Sequence, residues 1–103
     1  MWDKLKHELG LVKAETKYVM VHKFIGGKID IRSVVVPCSC TGFTIDRDKQ
    51  TITITFLPGK VPKSLRREGK TSYPVSKNTI VVSVVNNKEQ IDTFNFTATV
   101  KDK

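Results

Sequence analysis

Thr51-Ile52-Thr53-Ile54-Thr55-Phe56 is the stretch that decides the fold class. Ile52, Ile54 and Phe56 alternate with three threonines, so an extended backbone puts all the apolar side chains on one face and the hydroxyls on the other. The β-branched residues that fill the stretch also favour a pleated strand over a helix. The same two-residue period recurs on both sides of it. Upstream, Tyr18–Phe24 reads as a strand, and Gly26-Gly27 gives a hairpin signal. Residues 28–36 follow, with Ile29 and Ile31 on one face and Asp30 and Arg32 on the other, until Pro37, which has no N–H to give, ends regular pairing.

Downstream, residues 79–85 are β-branched almost throughout, which suits a central, covered strand. Asn86-Asn87 marks a turn, and residues 92–100 alternate again, with Phe94, Phe96, Ala98 and Val100 inward. Weaker strands are expected at 42–46 and 70–75. The total is about seven short strands with no helix between them, a pattern that argues against parallel crossovers. The expected fold is therefore all-β, an immunoglobulin-like antiparallel β-sandwich over residues 17–100 within a single domain spanning residues 1–103. Before it, Trp2, Leu5 and Leu9 fall at spacings of three and four, which predicts a short amphipathic helix over residues 1–10 with Gly10 as its C-terminal cap. A helix this short is marginal alone, so it is expected to cover one end or edge of the sandwich, with a partner-binding or membrane-surface helix as the sharper alternative.

Composition bounds the partners. The chain has 103 residues, a formal net charge of +8 and 39% hydrophobic residues, enough for one modest core. The positive charge favours encounters with polyanions, whether nucleic acid, an anionic membrane surface or an acidic protein, although solubility alone also accounts for it. No stretch is long and apolar enough to span a membrane, and the start, Met1-Trp2-Asp3-Lys4-Leu5-Lys6, lacks the apolar run of a signal peptide. The expected location is therefore the cytoplasm, or the host cytoplasm if a phage encodes the chain.

Residues 57–70 break the β pattern. Pro58-Gly59 is a turn pair, and Pro62 is placed to start one helical turn that ends at Gly69. Lys60, Lys63, Arg66, Arg67 and Lys70 face a single acid, Glu68, making this the candidate binding loop, either for phosphates or simply as a solvated surface. Cys38 and Cys40 form the other constellation. Neighbouring thiols can hold a soft metal or act in redox chemistry, but two cysteines fall short of the four ligands zinc wants. His7, His22, Met1 and Met20 stand at no ligand spacing, so no metal or other cofactor is expected. The plain alternative is two small residues, half-buried in a bend after a strand. The histidines have no serine or acid pattern around them, and Asp46 and Asp48 flank Arg47 in a turn, where aspartate serves the backbone. No enzyme is expected.

The block Phe24, Gly26 or Gly27, Ile29, Ile31 and Val34 ahead of Cys38-Ser39-Cys40-Thr41, followed by Pro58-Gly59-Lys60 and by Gly69, Tyr73, Ile80 and Val82, resembles a bacterial family of domains built as Hydin-type immunoglobulin-like sandwiches. Cys-x-Cys-Thr is its most distinctive piece, and the resemblance covers about four fifths of the chain. It implies an immunoglobulin-like fold and a binding role, and it supplies no catalytic residues. Typical members are secreted or lipid-anchored, and the strand at 51–56 and the basic 63–70 insert depart from their pattern. The chain is thus similar to a compact, signal-free variant of the kind a tailed phage encodes. The expected function is binding of another macromolecule, protein first, through an edge strand or the 57–70 loop. Nucleic-acid binding by the basic loop and a metal or redox site at the cysteines are the alternatives, and the oligomeric state stays open.

Overall fold

The computed structural model describes residues 1–102. Seven strands and one helical turn follow one another as β1 (Lys6–Lys13), β2 (Tyr18–Lys23), β3 (Asp30–Val35), β4 (Thr41–Asp46), β5 (Thr51–Phe56), α1 (Lys63–Arg67), β6 (Ser72–Val85) and β7 (Lys88–Lys101). They form two sheets, a four-stranded one ordered β1-β7-β6-β3 and a three-stranded one ordered β2-β5-β4. The fold is all-β in two layers. Its longest dimension, 53 Å against 19 and 18 Å, follows the two long strands β6 and β7.

The layers meet through the alternating residues. Ile52, Ile54 and Phe56 of β5 are buried from one side, and Phe94, Phe96, Ala98 and Val100 of β7 from the other. Phe56 and Phe96 touch across the gap with ring centroids 4.8 Å apart. Higher up, the buried His22 ring of β2 lies flat on Phe94 at 3.9 Å, and Trp2 meets both Phe94 and Phe24 edge-on at 4.9 and 5.4 Å. Such edge-on aromatic pairs add to the burial of their surfaces.

β6 and β7 make a hairpin in which all fourteen residues of each strand are paired. Asn86 and Asn87 close it with φ of 52° and 63°. A two-residue turn of this kind needs positive φ at both positions, which asparagine tolerates better than most residues. β4 and β5 form the second hairpin, through the Asp46–Gln50 turn.

Four expectations from the sequence are corrected. The N-terminal segment is a strand and not a helix. β1 inserts beside β7 in parallel, so the sheets are not wholly antiparallel. The reason lies at Leu9-Gly10: a bulge shifts the register between Glu8 and Gly10, with Gly10 at φ 68°. Inward positions move from His7 and Leu9 to Val12 and Ala14, and this phase slip hides the two-residue period. The third correction concerns Gly26-Gly27, which do not close a hairpin. They carry the chain from β2 in one sheet to β3 in the other, where the Gln50 side chain clamps the crossing by accepting from Ile29 N–H at 2.8 Å and donating to the Gly27 carbonyl at 2.7 Å. Last, the segments expected at 70–75 and 79–85 are one continuous strand, β6.

Trp2 anchors the N-terminus. Besides its ring contacts, its Nε1 donates to Asp92 at 3.2 Å, and its backbone bridges Phe24. Trp2→Ala is expected to cost about 3–5 kcal/mol in chemical denaturation, the range for emptying a buried aromatic site. A loss below about 1 kcal/mol would mean that this segment does not pack as described.

Candidate functional site

Three groups of residues bear on function, and two of them share one end of the sandwich. The basic segment runs along that end. Pro58 O accepts from Glu15 N–H, Val61 is buried, and α1 begins directly after Pro62, its N-cap residue. The folded chain spends much of the loop's charge internally. Lys60 pairs with Glu15 at 3.6 Å, Arg66 with Asp102 at 2.8 Å and Lys70 with Glu68 at 3.5 Å. Each pair is exposed and contributes little to stability, but each lowers the local positive potential. Lys63 and Arg67 have no acidic partner among the described residues. Glu15 and Asp102 lie too far away in sequence for a local reading of residues 57–70 to include them.

Cys38 and Cys40 lie in the crossing from β3 to β4 and are joined by a disulfide, with Cα atoms 5.3 Å apart. In this paired form neither sulfur is a free thiolate that could ligate a metal. The crossing bends, as the sequence suggested, because Thr41 N–H bonds to the Cys38 carbonyl at 3.1 Å. The buried Thr41 hydroxyl stands 3.5 Å from the Cys38 sulfur and 3.6 Å from that of Cys40.

Beside the disulfide, β6 has an unpaired edge. β3 pairs only with residues from Ile80 to Val84, so Ser72–Thr79 have β7 on one side and, among the described residues, no strand on the other. Pro74 sits opposite Thr99 in the β6–β7 ladder without an N–H to offer, so the backbone groups of position 74 face away from β7. Positions two apart share that orientation, and the N–H groups of Ser76 and Asn78 therefore point to the open edge. A groove of about 450 Å³ follows this edge, walled by Tyr73, Val75 and Lys77 on β6 and by Cys40, Phe56 and Gly59 opposite. The Tyr73 hydroxyl donates to the Gly59 carbonyl at 2.7 Å and holds the loop against the strand, and burial pushes this phenol above its ordinary pKa of 10.0. Neither the half-open edge nor the groove was visible in the sequence, because each follows from the different lengths of β3 and β6.

The third group is a histidine pair at the other end, linking the sheets. His7 of β1 meets His22 of β2 edge-on, with centroids 4.6 Å apart. His22 Nδ1 donates to the Lys4 carbonyl at 2.6 Å, whereas His7 Nε2 is buried with no partner among the described residues. Burial lowers both imidazoles below the usual 6.5. For His7, Lys4 adds to the lowering, and the Val21 backbone and Asp3 oppose it. For His22, the Lys4 carbonyl and Asp3 oppose the lowering, while the charges of His7 and Lys4 reinforce it. No group of three or more metal-binding side chains occurs among the described residues. No helix of the structure is long and apolar enough to cross a membrane. Comparisons with family models, curated proteins and solved structures found no match.

The histidine pair generates a pH dependence of defined sign. The unfolded chain takes up protons near pH 6.5 that the folded chain refuses, so stability is full above that pH and falls as the pH drops through it, until the folded rings protonate. The melting temperature is expected to fall between about pH 7.5 and about pH 5.5, and His7→Leu, which removes an unpartnered buried nitrogen, to flatten that slope. An identical slope in the variant would assign the pH response elsewhere.

Proposed function

We propose that this chain is a protein-binding module with an immunoglobulin-like arrangement, and that it engages an extended, acidic segment of its partner at the open half of β6. The strand order supports the arrangement. β2-β5-β4 opposite β7-β6-β3 parallels the second, fifth and fourth strands facing the seventh, sixth and third in immunoglobulin domains. The first strand differs, since β1 joins β7 instead of β2.

One observation carries the binding reading: the ladder that β3 begins on β6 stops at Ile80, and the strand continues unpaired to Ser72 beside a groove. An added strand there extends an existing ladder with outward N–H and C=O groups already in place. Charge selects the partner's chemistry. The whole chain carries +8, and Lys77 lines the groove. Two copies of so basic a chain repel each other, and an acidic segment is attracted. Nucleic-acid recognition by the 60–70 segment has less behind it, because Lys60, Arg66 and Lys70 already have acidic neighbours.

Ser76→Pro tests this directly. The lost N–H is not one that β7 uses, so the fold is expected to survive, while the outward donor disappears. An acidic protein retained from lysate by the wild type, released by raised salt and lost with Ser76→Pro, supports the reading. Equal retention by both proteins, or no salt-sensitive partner at all, contradicts it.

A further inference from the structure

The Cys38–Cys40 disulfide is poorly explained as a structural staple. It links residues only two apart in sequence. A cross-link stabilises mainly by restricting the unfolded chain, and the effect grows with the loop it closes. A ring this small removes little freedom, and its two ends already sit in one tight bend held by the Thr41-to-Cys38 backbone bond.

Its surroundings are those of a reactive pair. Both cysteines are half-buried, so each keeps part of its surface open to solvent. Cys40 forms part of the wall of the groove beside β6, where Lys77 supplies positive charge. Reactive sulfurs occupy partly exposed, electropositive settings of this kind. The hydroxyl of Thr41, a residue only 5% exposed, lies within reach of both sulfurs, so whichever one leaves as a thiolate finds the same donor.

We propose that Cys38 and Cys40 form a thiol–disulfide exchange site that accepts two electrons from a protein dithiol. A thiolate of the substrate attacks one sulfur of the pair. The Cys38–Cys40 bond breaks, a mixed disulfide forms, and the other cysteine departs as a thiolate stabilised by the Thr41 hydroxyl. The second substrate thiolate then attacks the substrate sulfur of the mixed disulfide and releases the remaining cysteine. The substrate ends with one new disulfide, Cys38 and Cys40 end as two thiols, and the two protons of the substrate thiols pass to them. The exchange is stoichiometric, one substrate disulfide per chain. It goes beyond the binding reading and stands without it, because it rests on the cysteines and Thr41 and not on strand addition.

The test mixes the full oxidised chain with a reduced peptide containing a Cys-x-x-Cys dithiol at neutral pH. Acid quenching, alkylation and mass spectrometry then count thiols on both molecules. Peptide disulfide and protein thiols are expected to appear in step. Thr41→Val should slow the exchange about tenfold, the loss of one hydrogen bond to a thiolate, and Thr41→Ser should restore it. The double variant Cys38→Ser/Cys40→Ser should oxidise no peptide yet melt within a few degrees of wild type. The proposal is overturned if the pair resists the dithiol until the chain is unfolded, if the double variant loses its fold, or if both cysteines stay free after treatment with glutathione disulfide.

Discussion

The β6–β7 ladder is the constraint on which the remaining structure depends. The turn at Asn86-Asn87 fixes its register, and every later contact inherits that register. β7 accepts β1 in parallel on one side, β6 accepts β3 on the other, and the inward residues of both long strands build one wall of the core. A slip of one residue would turn Phe94, Phe96 and Val100 to solvent and bring Asn95 and Thr99 inside. The core therefore holds the ladder in place as much as the ladder builds the core.

The length of that ladder also produces the candidate site. β6 has fourteen residues and β3 only six, so part of β6 extends past its neighbour. An exposed strand edge is a liability in most proteins and is usually blunted by charge or proline. Here Pro74 and Lys77 partly blunt it, and Ser76 and Asn78 keep outward donors between and beyond them. The disulfide, the groove and the basic segment meet at this end because the crossings from β3 to β4 and from β5 to β6 both pass there.

Much of the layering was legible in the sequence, and the failures have identifiable physical causes. β5 was readable residue by residue, since its alternation is uninterrupted and its burial follows it. β7 was readable for the same reason. β1 was not, because Trp2, Leu5 and Leu9 stand at a helical spacing in the sequence while the bulge at Leu9-Gly10 interrupts the strand period. Leu5 is in fact exposed. The glycine pair after β2 carries the same local signal in a hairpin as in a crossing between sheets, and contacts from residues far along the chain, Gln50 among them, distinguish the two. The cluster of basic residues at 60–70 was readable, but two of its acidic partners, Glu15 and Asp102, were hidden by sequence distance. The groove beside β6 was hidden altogether, since it depends on where another strand stops.

Amide hydrogen exchange, resolved residue by residue, tests the half-open ladder most directly. The account predicts slow exchange at Lys77 and Thr79, whose N–H groups face β7, and at Ile80 and Val82, which face β3. Between them, the amides of Ser76 and Asn78 should exchange much faster, as donors with no strand to receive them. Protection of Ser76 and Asn78 equal to that of Ile80 would show the edge already covered, and would contradict the site on which the functional reading is built.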